Sequence, residues 1–165
     1  MTNPPDVPAP QPPAGPGPLA EWADRVIATL IDFVFVFAAG IVVFIVGVIL
    51  GAISDVLGTL VSSLGYLALS IYALYLGYLE GIRGQSPGKA IRGLKVVNQA
   101  NGELIGGGMG VVRKLAHVID SIICYIGYLF PLWDPQKQTI ADKLLQTVVL
   151  KDQEHKPLSA EIFMP

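Results

Sequence analysis

Cysteine and charge are both scarce in this chain of 165 residues. The single cysteine, Cys124, excludes an intramolecular disulfide framework and a thiolate metal site. Charged residues make up 15% of the chain, whereas a soluble globular domain carries about 25%. The formal net charge of −2 provides no global basic field for nucleic acid. We therefore expect an integral membrane protein that binds no nucleic acid.

Patterns typical of catalysis and metal binding are also missing. His155 lies in the tail, far from His117, and no cluster of metal ligands accompanies either histidine. The segment Gly84–Lys89 reads GQSPGK, which has only three residues between its glycines and no Ser or Thr after the lysine, so it is not a phosphate-binding loop. We expect no enzyme, no metal and no cofactor, and we expect Lys89 in a tight cytoplasmic turn near lipid phosphates.

Proline is concentrated at the beginning of the chain, where residues 4–18 hold eight of the 13 prolines. Such a tract cannot build a core, so we predict a disordered cytoplasmic arm over residues 1–20. The arm contains no Lys or Arg, and the apolar run after it is too long for a secretory signal. We assign residues 21–151 to a membrane domain and residues 152–165 to a polar tail.

Three apolar runs follow the arm, namely Val26–Ile53, Val56–Leu79 and Leu115–Trp133. About 20 helical residues cross the hydrocarbon core of a bilayer, so the first two runs can span it. Only Ser54 and Asp55 separate them, which predicts a transmembrane helical hairpin. The third run is barely long enough to span. The predicted fold class is an all-α membrane protein with a two-helix hairpin, a third membrane-embedded helix and a small cytoplasmic β element.

The basic residues predict the orientation of this hairpin. Residues 26–82 contain no Lys or Arg, whereas residues 81–114 contain six. By the positive-inside rule, the second of these segments and the N-terminal arm are cytoplasmic and the hairpin turn faces outward. We expect a multi-pass protein of the plasma membrane.

Two short segments have the character of β-strands. Gly93-Leu-Lys-Val-Val-Asn is β-branched and is followed by the turn signal Asn101-Gly102, and Thr147-Val-Val-Leu-Lys follows the third apolar run. If these segments pair, the third run between them must re-enter the membrane or lie along its surface. Hydropathy instead favours a crossing, and the sequence leaves both alternatives open.

Asp32 is the charged residue within the first apolar run. An ionisable group inside a spanning helix costs about 2.5–3.5 kcal/mol on insertion scales, so it normally faces protein or water. The octapeptides Arg25–Asp32 and Arg113–Asp120 share Arg, Ala, Ile and Asp at matching places. Each aspartate therefore lies two helical turns beyond an arginine. The carboxylates are either functional ligands or structural hydrogen-bond acceptors.

These octapeptides predict an intramembrane polar cluster. Arg25 is two turns away from Asp32, so a basic partner must come from another segment, and we expect Arg113 or its neighbours to supply it. His117 lies three residues before Asp120, where the pair could relay a proton. The cluster is expected to comprise Arg25, Asp32, Arg113, His117 and Asp120.

The chain resembles the RDD family of small bacterial membrane proteins. That family is named for an arginine at the start of its first span, an aspartate within that span and a second aspartate further on, and Arg25 and Asp32 match the first two. GQSPGK followed by GLKVV, and ADKLLQTVV near the end, resemble two further family segments. Gln146 departs from the family, where a small residue is usual. The residues that match these two segments are Gly84, Ser86, Gly88, Lys89, Asp142 and Thr147.

The resemblance leaves the second aspartate open between Asp142 and Asp120. It implies a membrane location and a proposed role in transport. The proline-rich arm also resembles actinobacterial proline-rich antigens.

Two functions remain after these considerations. The chain is either an oligomeric transporter or ion- and proton-coupled carrier that uses Asp32 and Asp120, or a non-transporting scaffold whose Arg/Asp pairs lock its helices. One chain has few helices to enclose a pathway, so transport requires oligomers. The expected partners are the lipid bilayer and either further copies of the chain or another membrane protein, and the ligand or ion is unknown.

Overall fold

The computed structural model describes residues 17–165, and the first 16 residues of the expected disordered arm lie outside the described part. Helix α1 runs over Trp22–Gly51 and helix α2 over Asp55–Arg83. Both helices are long and apolar enough to cross a membrane. Their large apolar side chains are largely exposed, as at Leu30, Phe33 and Phe37. The predicted hairpin of two apolar helices, each long enough to span a membrane, is therefore present.

Glycines permit the two helices of the hairpin to approach closely. A Cβ atom added at Gly58 on α2 would lie 2.6 Å from the Cα atom of Gly51 on α1. Gly47 is equally constrained, because its added Cβ would lie 2.2 Å from the Ser62 hydroxyl oxygen. Small residues let helix backbones meet in this way.

The chain then forms a short helix and the first strand. Helix α3 covers Pro87–Ile91, and strand β1 covers Lys95–Asn98. Ser86 precedes α3 and caps it by accepting a hydrogen bond from the N–H of Lys89 at 3.4 Å. Packing of α3 on α1 leaves no space at Gly88, where an added Cβ would lie 2.0 Å from the carbonyl oxygen of Ala28.

The third apolar segment is not one straight helix. Helix α4 covers Gly107–Ile122 and α5 covers Ile126–Leu129, followed by a 3-10 turn at Phe130–Leu132. A bend of 106° separates α4 from the α5 segment, and Tyr125 at the bend has a φ of 61°. A straight crossing of Leu115–Trp133 is therefore not formed.

Helix α6 at Ile140–Leu144 and strand β2 at Thr147–Leu150 complete the main elements. β1 and β2 pair antiparallel, with Val96 opposite Val149 and Val97 opposite Val148. The predicted pairing of the two strand segments is thus confirmed. Because both ends of the intervening chain meet in one sheet, helices α4–α6 leave this sheet and return to it.

Both ends of the described chain pack against the rest of the protein. Leu19 forms a β-bridge with Leu150, and Ala20 is fully buried in a cluster with Leu94 and Val96, so residues 17–20 do not continue a free arm. In the tail, Ile162 is also fully buried. Within the predicted polar tail, carbonyl oxygens of residues 161, 162 and 164 accept hydrogen bonds from Arg83.

Candidate functional site: a buried charged cluster

Arg113 lies on α4 and joins two carboxylates from different parts of the chain. Its Nη1 donates to Glu80 Oε2 at 2.7 Å, and its Nη2 donates to Asp142 Oδ1 at 2.6 Å. Nε also donates to Asp142 Oδ1 at 2.9 Å. The side chain can reach both because α4 packs closely on α2, where Cβ atoms added at Gly77 or Gly110 would clash with the facing backbone. A buried arginine with several charge-assisted hydrogen bonds fixes α2, α4 and α6 relative to one another.

Lys89 provides the second cation of the cluster. Its Nζ lies 2.6 Å from Glu80 Oε1, and the residue is only 8% exposed. Burial lowers the pKa of Lys89, and the Glu80 carboxylate opposes that shift. Lys89 is therefore a buried, paired cation and not an exposed one in a surface turn. Helix α3 folds back against the end of the hairpin and turns this lysine inward.

Asp142 is the most completely surrounded carboxylate of the cluster. Arg25 from α1 contacts its Oδ2, Arg113 contacts its Oδ1, and the Thr147 hydroxyl donates to Oδ1 at 3.0 Å. Asp142 also forms a capping box with Thr139 at the start of α6. Burial alone would raise the pKa of Asp142, but Arg113 and Arg25 hold it well below its ordinary value.

Asp32 has different partners from those expected. The hydroxyl of Ser86 donates to Asp32 Oδ2 at 2.5 Å, and the N–H of Gly88 donates to Oδ1 at 2.7 Å. The structure therefore does not form the expected direct pair between Asp32 and Arg113. The reason is that α3 packs on α1 and covers Asp32, while the guanidinium group of Arg113 forms ion pairs with Glu80 and Asp142.

His117 and Asp120 form a separate pair on α4. His117 Nδ1 lies 2.7 Å from Asp120 Oδ2, and the His117 ring stacks on Tyr128 at 5.7 Å between centroids. The other oxygen of Asp120 accepts hydrogen bonds from the N–H groups of Ile140 and Ala141 at 3.1 and 3.4 Å. The proposed proton relay stays a prediction.

Four buried carboxylates, on α1, α2, α4 and α6, have a hydrogen-bond or ion-pair partner on each of their eight oxygen atoms. The four residues are Asp32, Glu80, Asp120 and Asp142. Buried polar groups are costly unless they are paired, so this complete set of partners stabilises the folded arrangement. Within residues 17–165, no group of His, Cys, Asp and Glu is arranged to hold a metal ion.

The similarity between the octapeptides Arg25–Asp32 and Arg113–Asp120 has a structural counterpart. Gly88, the second residue of α3, donates its N–H to Asp32, and Ala141, the second residue of α6, donates its N–H to Asp120. Both short helices follow a hydroxyl residue that caps them, as Thr139 does for α6. Each aspartate therefore binds the start of the short helix in its own half of the chain.

Further contacts repeat in the same order. Gln85 Nε2 donates to the carbonyl oxygen of Leu94 at 2.9 Å, and Gln138 Nε2 donates to that of Thr147 at 2.8 Å. The residues before these acceptors, Gly93 and Gln146, both have left-handed backbones, with φ of 62° and 53°. A left-handed backbone favours glycine, which has no Cβ, and this explains why the smallest residue suits the position of Gln146. The segments α1–β1 and α4–β2 thus form an internal structural repeat.

A cavity of about 440 Å³ lies beside the cluster, between α1 and the α4–α5 segment. Its charged lining residues are Arg25, Glu80, Lys89, Arg113 and Lys114. The apolar lining includes Leu30, Val118 and Tyr125, which are 56%, 53% and 67% exposed. The cavity therefore joins a cationic end to an apolar side that is open at the surface.

A sequence model of the RDD family matches residues 19–146. This range contains the hairpin, the charged cluster, and the aspartates Asp32, Asp120 and Asp142. The chain belongs to the RDD family. Membership and the two apolar helices together support a membrane protein. No solved structure matches this RDD protein.

Three curated relatives are similar to part of this RDD protein. The proline-rich antigen of Mycobacterium leprae is 54% identical over 74 residues, and the proline-rich antigen homolog of Mycobacterium tuberculosis strain H37Rv is 56% identical over 72 residues. These matches cover 45% and 44% of the chain and 30% of each relative, so the chain matches about a third of their length. The YxaI protein of Bacillus subtilis is 37% identical over 81 residues, which cover 48% of the chain and 52% of that protein.

The structure brings together residues that sequence reasoning placed in separate groups. Arg25 and Arg113 of the expected cluster meet Asp142 and Thr147 of the family segments, whereas His117 and Asp120 form their own pair. The cluster predicted from the sequence does not include Glu80, which directly follows the second apolar run instead of lying within a run. Its position beside an otherwise uncharged run was the available signal.

Proposed function

We propose that this RDD protein is a non-enzymatic, non-transporting membrane scaffold whose buried charges lock the helices. The supporting observation is that Asp32, Glu80, Asp120 and Asp142 already have partners on all eight carboxylate oxygens. A carboxylate that coordinates a transported ion must exchange these partners for the ion, which would break buried ion pairs. The contacts instead suit a fixed polar core at one end of the hairpin.

The proposed topology follows from charge and strand pairing. The six basic residues in residues 81–114 favour a cytoplasmic position for the polar core, the sheet and the N-terminal end. The antiparallel β1–β2 pair and the 106° bend favour a re-entrant third segment that begins and ends on the cytoplasmic side. The protein would then be a multi-pass protein of the plasma membrane with both described ends inside the cell.

The exposed apolar faces of α1 and α2 would contact lipid and a second membrane-embedded chain, either another copy or a partner protein. In this role the sheet and the N-terminal arm present a cytoplasmic surface for recruitment. The charged cluster keeps the angle between hairpin and sheet constant.

A proton-coupled carrier is the second candidate. It is favoured by the cavity beside the cluster and by His117, which lines that cavity and contacts Asp120. A His–carboxylate pair next to an accessible cavity can exchange protons near neutral pH.

Sealed vesicles containing the purified full chain and an internal pH-sensitive dye distinguish the two functions. The scaffold predicts that an imposed pH gradient, with or without a gradient of Na⁺ or K⁺, decays at the same rate as in protein-free vesicles. Faster decay that is abolished by Asp120→Asn, with Asp55→Asn at the start of α2 as the control, would establish the carrier instead.

A further inference from the structure

We propose that the cavity beside the charged cluster binds an amphiphile whose phosphate headgroup carries a net negative charge, with the phosphate at the cationic end and the apolar body along the open side. This ligand site is independent of the scaffold proposal, because it rests on the lining of the cavity and not on the lock between helices. The volume of about 440 Å³ is within the range of small-molecule sites.

The charge balance of the lining favours an anion. Four cationic side chains line the cavity, namely Arg25, Lys89, Arg113 and Lys114, against one carboxylate, Glu80. Arg25, Lys89 and Arg113 already bind carboxylates. Lys114 forms no ion pair with any residue between 17 and 165 and is half-buried at the same end. It is the cation best placed to receive a phosphate group.

The remaining walls favour an apolar body attached to that phosphate. Val26, Leu30 and Val118 line the side that opens to the surface, and Leu30 and Val118 are more than half exposed. Trp22 lines the cavity and donates from Nε1 to the carbonyl oxygen of Tyr128 at 2.9 Å, which ties α1 to α5 at one edge. Tryptophan and tyrosine are typical of the membrane interface, where phosphates of amphiphiles lie.

The internal repeat also relates the two arginines that line the cavity. Arg25 and Arg113 are equivalent residues of the two halves, and both line the cavity. The ligand would therefore lie between the two arginine-bearing helices of the repeat.

Fluorescence of Trp22 provides a direct test with the full chain in neutral detergent micelles. Trp133→Phe leaves Trp22 as the single tryptophan, because the sequence contains two. The probes are phosphatidylglycerol, phosphatidylcholine and inorganic phosphate. We expect a saturable change with phosphatidylglycerol, and at least a tenfold weaker response to phosphatidylcholine and to inorganic phosphate.

Lys114→Gln is expected to raise the apparent Kd for phosphatidylglycerol about fivefold, as for the loss of one cation near a lipid surface. Lys151→Gln, which removes a cation that does not line the cavity, should leave the Kd unchanged. Val118→Phe should weaken binding by filling the cavity, whereas Val112→Phe, at an exposed α4 residue outside it, should not.

Three results would overturn the proposal. One is an equal response to phosphatidylglycerol and phosphatidylcholine, and another is an equal effect of each variant and its control. The third is saturation by inorganic phosphate at the same concentration as the lipid, which would assign the site to a free anion without an apolar body.

Discussion

Arg25 and Arg113, from helices α1 and α4, contact opposite oxygens of the Asp142 carboxylate. Their positions correspond in the internal repeat, so one aspartate joins the two halves of the protein. No close helix–helix packing between α1 and α4 accompanies this contact. The carboxylate therefore adds a polar link between two helices that have little direct packing in the described structure.

This bridge predicts strong coupling between Asp142 and Arg113. Asp142→Asn should reduce the free energy of unfolding by about 3–5 kcal/mol, because it leaves buried arginines unpaired. Arg113→Gln should be similarly costly, and the double variant should lose less than the sum of the two. Denaturant unfolding of the purified protein in micelles measures this double-mutant cycle. Strict additivity would contradict the shared contact.

Asp32 and Ser86 should behave as a second, smaller pair. Ser86→Ala removes a 2.5 Å hydrogen bond and the cap of α3, and we expect a loss of about 1–3 kcal/mol in the free energy of unfolding. Asp32→Asn should lose a comparable amount, and the double variant should show coupling. Ser70→Ala is the control, since that hydroxyl only donates within α2 and is exposed.

The close contact of α2 and α4 predicts opposite effects at two glycines of α4. A Cβ at Gly110 would lie 2.1 Å from the carbonyl oxygen of Gly77, whereas a Cβ at Gly108 meets nothing within 4 Å. Gly110→Ala should therefore destabilise by about 1–3 kcal/mol. Gly108→Ala should stabilise by about 0.5–1 kcal/mol, since alanine favours helix. Equal thermal midpoints for the two variants would contradict this packing.

Acid should destabilise the fold through Asp142. Its folded-state pKa lies well below 3.8, so the unfolded chain takes up this proton first as the pH falls. The contribution of Asp142 is complete above about pH 5 and is lost as the pH falls through 3.8 toward the folded-state pKa. Unfolding free energies between pH 6 and pH 3 measure this. Asp142→Asn should flatten the dependence, whereas Asp55→Asn should retain it.

The topology is accessible to cysteine labelling. In a Cys124→Ser background, Ser54→Cys should react with an impermeant maleimide on intact cells. Asn101→Cys, in the exposed turn after β1, should react only after permeabilisation. Ser86 is unsuitable as a probe because it is buried. If Asn101→Cys alone reacted on intact cells, the orientation of the protein would be opposite to the proposed one.

The sequence alone predicts the elements whose signals are local. Apolar runs of spanning length and the two-residue break at Ser54 and Asp55 define the hairpin, and the β-branched segments define the strands. The spacing of Arg25 and Asp32, repeated at Arg113 and Asp120, also indicates two equivalent helices. These features depend on neighbouring residues, which a single sequence contains in full.

Tertiary structure alone decided which charges meet. Lys89 turns inward to Glu80, Asp32 binds Ser86 instead of Arg113, and Asp142 receives two arginines. The contact of Arg25 with Asp142 joins residues separated by 117 positions, and that of Arg113 with Glu80 joins residues separated by 33. Charge attraction has no sequence periodicity, so such partners become fixed only when the folding back of α3 and α6 brings the buried groups within hydrogen-bond distance.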